Sequence, residues 1–185
     1  MDRRGFLSRA SGLVLVGMAV TGCATMPGCR EPVAPEGFER VRIDGRTFNL
    51  ELAETGPKRE RGLGGREHIP EDGGMLFVFP DAAPRVFVMR DCLVPIDILF
   101  LDATGRVVAK HQMTVEPPEP QRREGESEQD YQTRRMDYEF RLRKYPSGYA
   151  AQFAIEIAGG LLDNLNVQEG DQIRLDLDRL KRLAK

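Results

Sequence analysis

The sequence predicts a mainly β (β-rich α+β) fold: a single compact β-sandwich or open-barrel-like domain with one or two short helices. Three observations carry this. Thr47-Phe48-Asn49-Leu50-Glu51-Leu52 and Gln152-Phe153-Ala154-Ile155-Glu156-Ile157 alternate in polarity, the period of a half-buried strand. Gly74-Met75-Leu76-Phe77-Val78-Phe79 and Ile96-Asp97-Ile98-Leu99-Phe100-Leu101 are short apolar runs of the kind covered on both faces. Helical periodicity is sparse, and strands and helices do not alternate as βαβ units would require.

The domain is expected over residues 38–176. Val41-Arg42-Ile43 meets Asp44-Gly45, a two-residue hairpin signal, so the chain should fold back into the 47–52 strand with Phe48, Leu50 and Leu52 inward. Residues 55–63 read as a short helix: Thr55 can cap it, Pro57 suits its first turn, and Gly62 or Gly64 can end it. Strands follow at 74–80, 85–89 and 96–101, the last turning at Asp102-Ala103-Thr104-Gly105 into 106–109. After the 152–157 strand, Gln168-Glu169-Gly170-Asp171 turns into Ile173-Arg174-Leu175, and a short basic tail over 177–185 is compatible with a helix. Residues 116–144 stand apart as an insertion that opens Glu116-Pro117-Pro118-Glu119-Pro120 and is dense in both charge signs. Residues 136–142 alternate like a strand, while Tyr131, Tyr138 and Leu142 also fit one helix face. Both readings stay open, and the charge balance argues for a solvated, partly mobile segment.

The first 22 residues have the form of an export signal: a cationic start, a short apolar stretch over 13–20, then Val20-Thr21-Gly22-Cys23. The apolar stretch is shorter than the roughly 20 residues a bilayer span needs. Val20-Thr21-Gly22-Cys23 resembles the lipobox of bacterial lipoproteins, which implies lipidation at Cys23. Arg3-Arg4-Gly5-Phe6-Leu7 resembles a twin-arginine signal. Residues 23–37, with Pro27, Gly28, Pro32, Pro35 and Gly37, then form a flexible linker. The expected address is the cell envelope, with the protein exported and lipid-anchored to a membrane on the periplasmic side or at the outer membrane. Three arginines and one aspartate leave with residues 1–22, so the 27 basic and 29 acidic residues of the chain become a mature charge of −4 over 163 residues. That balance carries no electrostatic footprint for nucleic acid. An oxidising compartment would permit pairing of Cys29 with Cys92, although Cys92 also reads as a small buried hydrophobe.

A series of motifs runs through the domain: Arg59-x-x-Gly62-Leu63-x-x-Arg66, Gly74-Met75-Leu76-Phe77-Val78-Phe79, Met89-Arg90-Asp91-Cys92, Pro95-Ile96-Asp97-Ile98-Leu99-Phe100-Leu101-Asp102, Tyr145-Pro146-Ser147-Gly148-Tyr149-Ala150 and Glu156-Ile157-Ala158-Gly159-Gly160. In order and spacing the series resembles domain of unknown function 192, a mostly bacterial, often exported, single-domain family. The resemblance spans about residues 40–176 and implies a compact β-rich fold with no established activity. The chain departs from the family pattern in three places. Gly64 stands where Met is usual, Val88-Met89-Arg90-Asp91-Cys92 replaces Trp-Met-Lys-Asn-Thr, and the 116–144 segment is longer than typical.

Asp97 lies within an apolar strand, where a carboxylate is costly unless paired. Arg59, Arg66 and Arg90 are its motif-borne partners by charge, and their forks suit carboxylates. The resulting polar cluster is either a core salt bridge or a cationic pocket for a small anionic or sugar-like ligand. His68 and His111 are the only histidines, and neither CxxC nor HExxH occurs, so no metal or cofactor is expected. Ser147 sits in a Pro-Ser-Gly turn without a GxSxG setting, so no catalytic residue is assigned. Three functions follow: an envelope-tethered binding or accessory domain; a structural lipoprotein contacting an envelope protein through 116–144; and a hydrolase of an envelope glycan, which needs a second acid facing Asp97.

Overall fold

A computed structural model describes residues 34–185; the expected export signal over residues 1–22, Cys23 and Cys29 lie outside the described residues. In chain order the elements are β1 (Phe38–Ile43), β2 (Arg46–Ala53), α1 (Gly56–Arg61), β3 (Gly73–Phe87), β4 (Ile96–Leu101), β5 (Val107–Met113), α2 (Glu128–Arg141), β6 (Tyr145–Ala158), a 3-10 turn (Leu161–Asp163) and α3 (Leu177–Leu183). The strands form one unclosed mixed sheet in the order β1-β2-β3-β6-β4-β5. The fold is mainly β, of the α+β class, with three short helices.

The β1–β2 hairpin forms at Asp44-Gly45. Both residues take left-handed φ, 46° and 79°, as a type I′ turn demands. Phe48 and Leu50 are fully buried and Leu52 nearly so. Beyond β2 the structure departs from expectation. β2 pairs parallel to β3, so the segment between them is a crossover carrying α1. That helix has six residues, too few for a 3.6-residue period to show in sequence. It starts after Thr55 and ends at Gly62, which takes φ 52°.

The strands expected at 74–80 and 85–89 are one bent strand, β3, paired antiparallel with β6. The register shift between Val78 and Ala83 absorbs Pro80, since a bulge needs no ladder donor there, and Pro84 stands opposite Ala150 at the edge of a second shift before Val86. The same bend explains Pro146-Ser147-Gly148, which is a bulged part of β6 and no free turn. Ser147 is fully buried, accepts the Arg85 amide at 2.9 Å and donates to the Tyr149 carbonyl at 2.5 Å. Gly74, at φ 150°, lets β3 approach β6: a Cβ there would sit 2.1 Å from the Glu156 carbonyl oxygen. Residues 173–175 form no strand, and a single bridge joins Arg106 to Gln172.

The 116–144 insertion is ordered by α2. Ser127 caps it by accepting the Asp130 amide. Tyr138 and Leu142 are buried with Tyr131 half-buried beside them, while Met136 and Phe140 face out. The strand-like alternation of 136–142 is thus a coincidence over about two helix turns, and the solvated irregular part shrinks to residues 117–127.

Two apolar layers cover the sheet. One contains Phe48, Leu76, Leu99 and Ile155, closed by Leu162, Ile173 and Leu180. The other contains Met75, Phe77, Ile98 and Phe100, closed by Leu63, Met89 and Cys92. The segment 62–69 and the loop 89–92 therefore roof one face, and the chain after β6 roofs the other.

Candidate functional site

Asp97 and the three arginines do not come together. Strand parity decides this: Asp97 is flanked by Ile96 and Ile98, which face the layer roofed by the arginine-bearing loops, so its own side chain projects with Leu99 on the opposite face. It is 1% exposed, and its Oδ2 accepts the Leu162 amide at 2.7 Å. Burial raises its pKa, while the amides of Leu162, Gly160 and Leu161 oppose the rise. The carboxylate is the anion of a backbone nest at the start of the 3-10 turn. The expected Asp97–arginine pair is thereby corrected. Arg59 donates to the carbonyls of Val78 (3.0 Å) and Lys185 (2.8 Å). Arg66 grips Glu51 with two bonds of 2.6 and 2.8 Å, and Arg90 pairs with Glu139 of α2 at 2.5 Å.

The buried acid on the arginine side is Glu156. On β6 it stands opposite Met75 of β3 and Ile98 of β4. It is 5% exposed, and its Oε2 has no hydrogen-bond partner among the described residues. Burial pushes its pKa up to about 8, against the pull of the Leu63 backbone and the Arg66 charge. Glu156 is therefore mostly neutral at pH 7. Nearby, burial first and then the charges of Glu156 and Asp91 push the Cys92 thiol up to about 12. Among the described residues Cys92 has no disulfide partner; its thiol is buried and, as a thiol, unreactive as a nucleophile at neutral pH.

Gly62 roofs Glu156. A Cβ built there would lie 3.6 Å from Oε2 and 3.4 Å from the Phe77 ring. Outside this roof runs an open groove of about 330 Å³ lined by Phe38, Leu52, Met75, Glu51, Lys58, Arg61 and Arg66 among others. The floor is apolar and the walls carry three cations against one carboxylate. Arg66 holds the Glu51 carboxyl below its ordinary range. Lys58 pairs with Glu54 at 2.8 Å, while Arg61, exposed at the end of α1, makes no ion pair among the described residues. Neutral Glu156 adds no negative charge beneath. The arrangement can hold an anion by charge and an apolar or sugar face by contact.

Two chemistries lack their geometry here. Asp97 and Glu156 lie on opposite faces of the sheet, each sealed, so they do not flank a cleft as a glycosidase pair would. His111 Nε2 is engaged 2.7 Å from the Pro146 carbonyl, and the Ser147 hydroxyl is spent on Tyr149. Among the described residues no group of three or more His, Cys, Asp or Glu could hold a metal ion.

Sequence reasoning names Arg66 but misses Glu156, Arg61 and Lys58. Glu156 occupies the polar phase of an alternating strand, which reads as solvent-facing, whereas segment 62–69 covers that face.

The family model of domain of unknown function 192 (DUF192, uncharacterized ACR) matches residues 39–175. No curated protein matches the chain. Among solved structures, a Novosphingobium aromaticivorans protein of unknown function is similar at 22% identity and a TM-score of 0.58, over 75% of this chain and 85% of that one. A Sinorhizobium meliloti protein provisionally named a transcription regulator is similar at 26% identity and a TM-score of 0.54, over 74% of this chain and 92% of that one.

Proposed function

The chain belongs to the domain of unknown function 192 family, and from that premise we propose that it is an exported, lipid-anchored envelope protein whose domain binds a small organic anion in the groove beside α1. The observation that carries the binding reading is the groove itself, where Lys58, Arg61 and Arg66 surround the apolar surfaces of Phe38, Leu52 and Met75. A ligand carboxylate would sit against Arg61, which makes no ion pair among the described residues, with its apolar or sugar face on half-exposed Phe38. No cofactor is needed for such a role. The export reading rests on the signal-like start and the Cys23 lipobox; among the described residues no helix is long and apolar enough to cross a membrane.

Each half has its own test. Metabolic labelling with a fatty acid should mark the wild-type chain and leave Cys23→Ala unmarked; equal labelling of the two would reject the anchor. For the groove, N-acetylmuramic acid (a carboxylated sugar) and hexanoate serve as probes in thermal melts. At least one should raise the Tm of the wild type and lose that effect in Arg61→Glu. Arg61 is exposed, so its reversal leaves the fold intact. Identical shifts in wild type and Arg61→Glu would place binding elsewhere.

A further inference from the structure

We propose that the outward face of α2 is a membrane-contact surface that docks on anionic lipid, a role that rests on the lipid-anchored reading above. Met136 and Phe140 lie one turn apart on this face and are 58% and 76% exposed. Buried Tyr138 and Leu142 and the Arg90–Glu139 pair hold α2 to the domain, so its packing does not depend on Met136 or Phe140.

Phe140 stands between two open grooves of about 520 and 460 Å³. Arg123, Arg134 and Arg141 line the first with Asp137, and Arg135 and Lys144 line the second with Glu139, which Arg90 neutralises. Arg134 and Arg135 are neutralised by Glu126 and Glu119. Arg123, Arg141 and Lys144 make no ion pair among the described residues. Residues 131–144 hold five basic side chains against two acidic ones, in a chain whose net charge is −2. An apolar wedge with an excess of cations on both sides is the composition of an interfacial helix face, the wedge entering the acyl boundary and the cations meeting headgroup phosphates.

Tether length supports the same occupant over a protein partner. From Cys23 to Ala34 the chain spans at most about 40 Å when fully extended. That is comparable with the ~40 Å diameter of a compact domain of this size. A domain so tethered meets its own membrane at high effective concentration, so a modest patch suffices to fix its orientation.

The chain contains no tryptophan, so Phe140→Trp gives a single reporter at the tip of the wedge, and its exposed position keeps the fold unchanged. Tyr149→Trp, also strongly exposed but on β6, is the control outside α2. Both proteins, expressed from the full chain and purified in their mature form, are placed in vesicles of phosphatidylethanolamine and phosphatidylglycerol, with and without brominated acyl chains. A fatty-acid label is read on the same samples. The indole of Phe140→Trp should shift to the blue and lose most of its emission to the brominated lipid, while that of Tyr149→Trp keeps its solvent-like spectrum. A labelled Phe140→Trp protein with unquenched emission overturns the surface and leaves the anchor standing. An unlabelled Phe140→Trp protein that is quenched when mixed with the same vesicles rejects the anchor and upholds the surface. Equal quenching in pure phosphatidylcholine would overturn the assignment of anionic lipid.

Discussion

Raising the pH from 5 to 9 is expected to destabilise this domain, and Glu156→Gln is expected to remove most of that loss. Glu156 has an ordinary pKa of 4.5 that burial lifts to about 8. Because the folded-state value is raised, the full benefit of the neutral acid is present below pH 4.5. Between 4.5 and 8 the unfolded chain ionises while the folded one does not, so stability falls; above 8 both ionise and the loss levels off. A shift of this size corresponds to roughly 5 kcal/mol across the window. Asp97, whose pKa is also raised by burial, acts in the same direction. Glu51, Glu54 and Asp102, held below their ordinary values, act in the opposite direction, but their effect lies at acid pH. The amide that replaces the carboxyl can still accept from the Leu63 backbone, but it buries two N–H protons where Oε2 makes no hydrogen bond among the described residues. The variant should therefore start about 1–3 kcal/mol below wild type at pH 5 and overtake it by pH 9. Urea unfolding at pH 5, 7 and 9 measures this, and parallel pH curves for the two proteins would refute it.

Asp97→Ala is expected to cost roughly 3 kcal/mol, because it strips the acceptor from the buried amides around Leu162. Asp97→Asn keeps an acceptor oxygen and removes a charge that burial disfavours, so its change should stay within about 1 kcal/mol. The arginines lie on the other face of the sheet, so Asp97→Ala should combine additively with Arg66→Ala and with Arg90→Ala. Double-mutant cycles from chemical denaturation decide the point. A coupling above about 1 kcal/mol between Asp97 and either arginine would mean that the carboxylate and the guanidinium meet.

These residues show how far the sequence is readable. The Asp44-Gly45 hairpin, the inward Phe48 and Leu50, and the buried Ile96–Leu101 strand follow from local chemistry, and all form. The burial of Asp97 follows from its apolar flanks. Its partner does not, because partner choice depends on which face of the sheet each loop roofs. The parallel β2–β3 pairing leaves no trace in the pattern because α1 is shorter than two turns. The bend of β3 reads as a break because Pro80 and Pro84 look like strand ends until a bulge accommodates them. Helix α2 is ambiguous in sequence because 136–142 satisfies both periods, and only the burial of Tyr138 beside exposed Phe140 separates them. The groove is half visible: Arg66 belongs to a motif, but Arg61 and Lys58 look like ordinary solvated charges until α1 is laid against β2.

The groove beside α1 is the centre of the functional reading, and its most direct test is a ¹⁵N–¹H NMR titration of the folded protein with N-acetylmuramic acid and, separately, hexanoate. Binding in the groove predicts saturable amide shifts at Lys58, Gly62, Arg66 and Met75 with at least one probe, and their loss in Arg61→Glu. If both probes leave these four amides unmoved, or shift them equally in Arg61→Glu, the groove is not the anion site.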